Sequence, residues 1–166
     1  MNLLFTLSAI VAVISTTMMI TRSNTVHALL YLIVSLLAVA TIFYTLGAPF
    51  AAALEIIIYA GAIMILFVFV IMMLNIDADD AARENAWLAP GSWAGPALLA
   101  AVLGGELLYA GVMGRGAATA VAGVGPTEVG LALFGPYLLA VELSSILLLA
   151  GLISAFHLGR ESGKGV

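Results

Sequence analysis

The sequence has no cysteine and little charge: five basic and nine acidic residues among 166, or 8%, where soluble domains average about 25%. Lacking thiolates, the chain cannot ligate an iron–sulfur cluster through cysteine, form a disulfide or run Cys-x-x-Cys redox chemistry. Its basic residues are scattered, which leaves no patch for nucleic acid. It has no glycine-rich phosphate loop, no nucleophile paired with a base and no metal-ligand cluster. Asp77-Ala-Asp-Asp lacks the spacing, the glycine and the terminal glutamate of a calcium loop, so it reads as a solvated acidic loop. What is present is hydrophobic: 64% of residues, with mean hydropathy +1.22. The class expected is an all-α integral membrane protein in the lipid bilayer, without a catalytic centre, cofactor or metal of its own.

About 20 apolar residues at ~1.5 Å rise cross a ~30 Å hydrocarbon layer. Five stretches meet or approach that requirement, and they predict one membrane domain over 1–166 with five transmembrane helices. Residues 2–20 form the first; they lack the basic flank and small-residue cleavage site of a signal peptide and read as an uncleaved helix. Residues 25–46 form the second, and Gly47-Ala48-Pro49 turns directly into a third over 50–75, so these two should be an antiparallel hairpin. An aqueous loop, 76–92, carries Asp77, Asp79, Asp80, Arg83 and Glu84 before the interfacial Trp87 and Trp93. The fourth span, 93–113, is interrupted by glycines and Pro96. A glycine-rich loop, 114–129, leads to a fifth span, 130–158, that opens properly at Pro136, and a polar tail, 159–166, follows.

The third span organises the rest. From Glu55 to Asn75 its one charged residue is Glu55, and some dozen apolar neighbours at about 0.3–0.6 kcal/mol each offset an insertion cost of roughly 3 kcal/mol for the acid. In a regular helix Tyr59 shares the Glu55 face. Ala60, Gly61 and Ala62 leave a low-bulk patch among β-branched residues, where another backbone can approach or the helix can deform.

With five spans, Arg22, Arg83, Arg160 and Lys164 fall on one side and Arg115 on the other, so the positive-inside rule places the amino terminus outside and the tail in the cytoplasm. Helices three and five then run in the same direction. Glu55 and Glu142 each follow a proline, Pro49 or Pro136, by six residues and should lie at similar depth. Lost hydration disfavours a carboxylate there, which makes both candidate proton-relay groups. The plainer reading is a hydrogen-bonded carboxyl that fixes helix packing. Tyr59 would relay a proton or satisfy Glu55, Ser144 and Ser145 read as packing residues, and Glu106 beside Tyr109 reads as solvated near the outer interface. His27 and His157 read as interfacial rather than as a haem-ligand pair.

These residues also carry a resemblance. Tyr59-Ala-Gly-Ala-Ile-Met-Ile-Leu-Phe-Val-Phe-Val-Ile-Met-Met-Leu-Asn75, preceded by Ala52-Ala-Leu-Glu55, resembles the third helix of the subunit J family of bacterial respiratory complex I, the counterpart of mitochondrial NADH dehydrogenase subunit 6. Thr21-Arg-Ser-Asn-Thr-Val-His27 and Leu133-Phe-Gly-Pro through Glu142-Leu-Ser-Ser to Ala150 agree with it, while residues 77–126 match in layout only. The resemblance implies a non-catalytic membrane-arm subunit of proton-pumping NADH:quinone oxidoreductase in the bacterial inner membrane. Flavin, iron–sulfur clusters and quinone would sit in partner subunits, with the quinone-proximal subunit and a small glutamate-bearing subunit as neighbours. It also implies a π-bulge in helix three, at Tyr59 to about Leu66, with Gly61 as hinge and Ala60, Ala62 and Leu66 as the gating segment. The alternatives are a subunit of a Mrp-type cation/proton antiporter or membrane-bound hydrogenase, and a purely structural scaffold.

Overall fold

The computed structural model describes residues 3–22, 25–73, 90–113 and 123–161, and all regular elements among them are helical. Residues up to Gly123 form one compact unit and those from Val124 onward another.

In the first unit, α1 (Leu3–Thr21) and α2 (Thr25–Thr45) form an antiparallel pair. Their 19 and 21 residues give lengths of about 28 and 31 Å, enough to cross the hydrocarbon layer. Several of the hydroxyls on these helices find an acceptor inside the protein. Thr17 Oγ1 donates to Val13 O at 2.8 Å, Thr21 to Thr17 O at 3.0 Å and Thr41 to Leu37 O at 3.0 Å, so each hydroxyl is satisfied by its own helix. Between the two helices, Thr16 and Ser35 hydroxyls share a 2.8 Å hydrogen bond.

α2 ends in a Schellman turn. Ala48 N–H donates to Phe43 O at 3.0 Å and Gly47 N–H to Tyr44 O at 3.1 Å, with Gly47 at φ 82°, a left-handed conformation that glycine adopts without a Cβ penalty. Pro49 follows at the first position of α3 (Pro49–Leu54), where its fixed φ suits a helix start and its missing N–H leaves nothing unbonded. The expected tight hairpin is formed in this way.

The third span is continuous but not uniform. After α3 the coil widens to a π-helix over Glu55–Ile63, nine residues, and then returns to α4 (Met64–Met73). The expected bulge is present, and it begins four residues earlier than expected, at Glu55 instead of Tyr59. Leu66 therefore lies in regular α4, beyond the wide segment. Three consecutive isoleucines, Ile56 to Ile58, crowd the preceding turn of a regular α-helix, which weakens the α alternative where the coil widens.

α5 (Pro90–Met113) tolerates Pro96 in its second turn, and its apolar stretch, Trp93–Tyr109, is shorter than the other spans. Its 17 residues reach the lower bound for crossing a bilayer. Leu99, Leu103 and Glu106 share one face at i, i+4, i+7, and this face meets α1 and α2. Leu103, Val11, Val34 and Ala38 make the core, flanked by Ala12, Leu37 and Leu99. α5 runs alongside α2 and against α1, pairing Trp93 with His27 and Glu106 with Ser8.

In the second unit, α6 (Pro126–Leu133) is separated from α7 (Leu138–Glu161) by a turn at Phe134–Tyr137. The fifth span is thus not one helix from residue 130. Pro136 has no N–H and its ring conflicts with the preceding turn, and Ala132 O is taken instead by Tyr137 N–H at 3.1 Å. The apolar stretch Leu138–Arg160 opens just after Pro136, as the sequence suggests, and is long enough to cross a membrane. The acidic loop at 76–89, the loop around Arg115 and the tail with Lys164 lie outside the described residues.

Candidate functional site

The candidate site is the head of the π segment. Glu55 opens it, six residues or about 9 Å into the span from Pro49, and its side chain is half-buried. In a coil bonded i to i+5, Tyr59 and Ala60 both lie about one turn on from Glu55. Tyr59 is 52% exposed. Ala60 and Gly61 are half-buried, Ala62 is exposed, and Met64, where the regular helix resumes, is almost fully buried. A Cβ placed on Gly61 would lie 3.1 Å from Ile56 O, close enough that bulk there acts directly on the backbone of the wide coil.

The wide coil also has an irregular exit. Met64 N–H is directed at both Gly61 O and Tyr59 O, so one donor is shared between two carbonyls at the junction. Such junctions leave carbonyl oxygens incompletely bonded, and within a membrane these must be met by neighbouring protein or water.

Glu142 lies on α7 of the second unit and is exposed there. Ser144 Oγ donates to Ala140 O at 2.7 Å, which engages it within its own helix, and Ser145 is exposed. His27 is buried, its ring edge-on to Trp93 with centroids 5.9 Å apart. No group of three His, Cys, Asp or Glu side chains able to hold a metal occurs among the described residues.

Glu106 requires a correction. Instead of facing water beside Tyr109, it is 6% exposed, and its Oε2 accepts a 2.7 Å hydrogen bond from Ser8 Oγ. Tyr109 is on the exposed side of α5. The signal was available in the sequence: Glu106 shares its helical face with Leu99 and Leu103, and Ser8 shares one with Val11 and Ser15.

Residues 15–158 match the family model for NADH-ubiquinone/plastoquinone oxidoreductase chain 6. The chain belongs to this family. It is 56% identical over 169 aligned residues to NADH-quinone oxidoreductase subunit J of Pseudomonas aeruginosa, covering 99% of both chains. It is 52% identical over 167 residues to the subunit J of Escherichia coli K12, covering 99% of this chain and 90% of that one. The subunit J of Buchnera aphidicola from Schizaphis graminum is 47% identical over 161 residues, 97% and 99% of the two chains. The family match runs through residues 77–126 as well, where the sequence patterns alone show agreement only in layout. These relatives, covered over 90% or more of their length, carry the oxidoreductase name, so the antiporter and hydrogenase readings are not favoured.

Proposed function

We propose that this chain is a membrane-arm subunit of a proton-translocating NADH:quinone oxidoreductase in the bacterial cytoplasmic membrane, and that its third span couples quinone reduction to proton movement. The observation that carries the reading is the nine-residue π-helix in that span, headed by the carboxyl of Glu55. A one-residue change of register between the wide and regular coils turns every side chain on one side of the junction by about 100°. Such a turn moves Glu55 and Tyr59 relative to Met64 and re-bonds the carbonyls that the wide coil leaves to water. The segment can therefore make and break a hydrated path without any redox chemistry of its own. Glu142 is assigned a second relay role, and Ala60, Gly61, Ala62 and Leu66 the gating role. Flavin, iron–sulfur clusters and quinone belong to partner subunits in this reading, consistent with a chain that has no cysteine.

The neighbours proposed are the quinone-proximal subunit and the small glutamate-bearing subunit. Ile57 and Ile65 on the third span are 65% and 69% exposed within this chain, apolar surface of the kind that a partner helix or lipid covers. An affinity tag on this chain is expected to recover flavin and rotenone-type-inhibitor-sensitive NADH:quinone reductase activity from solubilised membranes. Recovery of sodium-dependent transport without NADH oxidation would reject the reading.

One membrane domain with five spans is proposed, amino terminus outside and tail in the cytoplasm, on the distribution of Arg22, Arg83, Arg160 and Lys164 against Arg115. Alkaline phosphatase fused after Val166 should be inactive and a cytoplasmic reporter active; the opposite pattern would invert the orientation.

A further inference from the structure

Glu106 is a carboxyl that the proposed coupling does not use. It is 6% exposed, and while Oε2 accepts the Ser8 hydrogen bond, Oε1 has no protein hydrogen-bond partner among the described residues. The described cations in this unit are distant. Arg22 is 14 residues along α1 from Ser8, about 21 Å, and the His27–Trp93 contact is 13 residues along α5 from Glu106, about 20 Å. No ion pair with a described residue therefore accounts for the burial. A buried carboxyl oxygen that no protein group meets is characteristically met by an internal water, which makes two to four hydrogen bonds.

The helices also fix the side from which water arrives. Val11 is three residues beyond Ser8, and Leu103 three before Glu106; with Val34 and Ala38 they form the apolar core, which closes the space on that side. Ser15, whose hydroxyl likewise has no protein partner among the described residues, and the Thr16–Ser35 pair lie beyond it. On the other side, Ser8 is five residues from Leu3 and Glu106 seven from Met113, about 8 and 10 Å from those helix ends. A polar group so near the end of a span is within reach of the hydrated interface.

We propose that Ser8 and Glu106 form a buried water-binding site, entered from the Leu3 and Met113 ends of α1 and α5 and closed behind by the Val11, Val34, Ala38 and Leu103 cluster. The ligand is water and not a metal cation, because the Ser8 hydroxyl turns its hydrogen toward the carboxyl and a hard cation needs a shell of several oxygens. Glu106 is then a hydrated side pocket of the subunit, separate from Glu55 and from any path through the membrane. The proposal does not rest on the coupling role of the π segment.

The test is a map of the assembled complex at a resolution that shows water, recorded once in sodium and once in potassium buffer. Density within hydrogen-bonding distance of Glu106 Oε1 is expected in both, with none among the four core residues. The same density should persist in Glu106→Gln and vanish in Glu106→Leu; if the leucine variant does not assemble, the unsubstituted and glutamine maps carry the test. A dry Oε1, or one bonded to a protein donor, would overturn the site. Density seen only in sodium would make it a cation site instead, and continuous water from Glu106 past Leu103 to Ser15 would overturn the closed pocket.

Discussion

Gly61→Val is expected to lower coupled quinone reduction and proton pumping roughly 5- to 30-fold in membranes where the complex has assembled, while NADH oxidation by an artificial acceptor stays unchanged. The size follows from the geometry. The first carbon of the new side chain would lie 3.1 Å from Ile56 O, and two methyl groups attached to it make the site tighter still. Disfavouring the wide coil by about 1–2 kcal/mol shifts a two-state equilibrium by that factor. Gly61→Ala should have a much smaller effect, since it adds only the one carbon, whose 3.1 Å contact relaxes by a few tenths of an ångström. Glu55→Gln keeps size and hydrogen bonding but cannot carry a transferable proton; a partial loss is expected, because another carboxyl beside it can share the load. Pumping unchanged in an assembled Gly61→Val complex would remove the gating role of this segment.

The second large effect is on assembly. A Cβ at Gly95 would fall on the Tyr31 hydroxyl and within 3.2 Å of the ring carbon that bears it. Tyr31 cannot simply swing aside: it is 2% exposed, and the Arg22 guanidinium lies over its ring at 5.7 Å from the centroid, an arrangement that is itself attractive. Gly95→Ala should therefore cost about 1–3 kcal/mol through overpacking, and Gly95→Val more, seen as a fall in the amount of assembled complex per milligram of membrane. Combining Gly95→Ala with Tyr31→Phe, which removes the hydroxyl in the way, should recover part of the loss. Such non-additivity is the signature of a direct contact. Additive losses in the double variant would mean that the two residues do not meet.

The sequence shows the apolar helices because length and hydropathy are properties of single segments, and the hairpin from α2 to the third span is legible in Gly47 and Pro49. Other features depend on how segments meet. The wide coil starts at Glu55 because the isoleucines following it disfavour a regular turn, an effect weaker than the low bulk of Ala60, Gly61 and Ala62 that draws attention to the later residues. The break at Phe134–Tyr137 is foreshadowed by Pro136, yet the short helix before it, α6, is opened by Pro126 and by the Glu128 carboxylate accepting Gly125 N–H at 2.9 Å, a local cap inside what reads as a glycine-rich loop. Glu106 departs from its sequence pattern for a different reason. Its neighbours in sequence, Gly104, Gly105 and Tyr109, suggest an interface, whereas its neighbours in space, Ser8 and the Leu103 core, make it interior.

The wide coil matters only if it changes during turnover. Structures of the assembled complex trapped at rest and during NADH-driven quinone reduction would show the backbone ladder from Glu55 to Ile63 directly. The account predicts i to i+5 bonding in one state and i to i+4 bonding in the other, with Tyr59 rotated between them. The same wide ladder in every state, with Tyr59 unmoved, would contradict it.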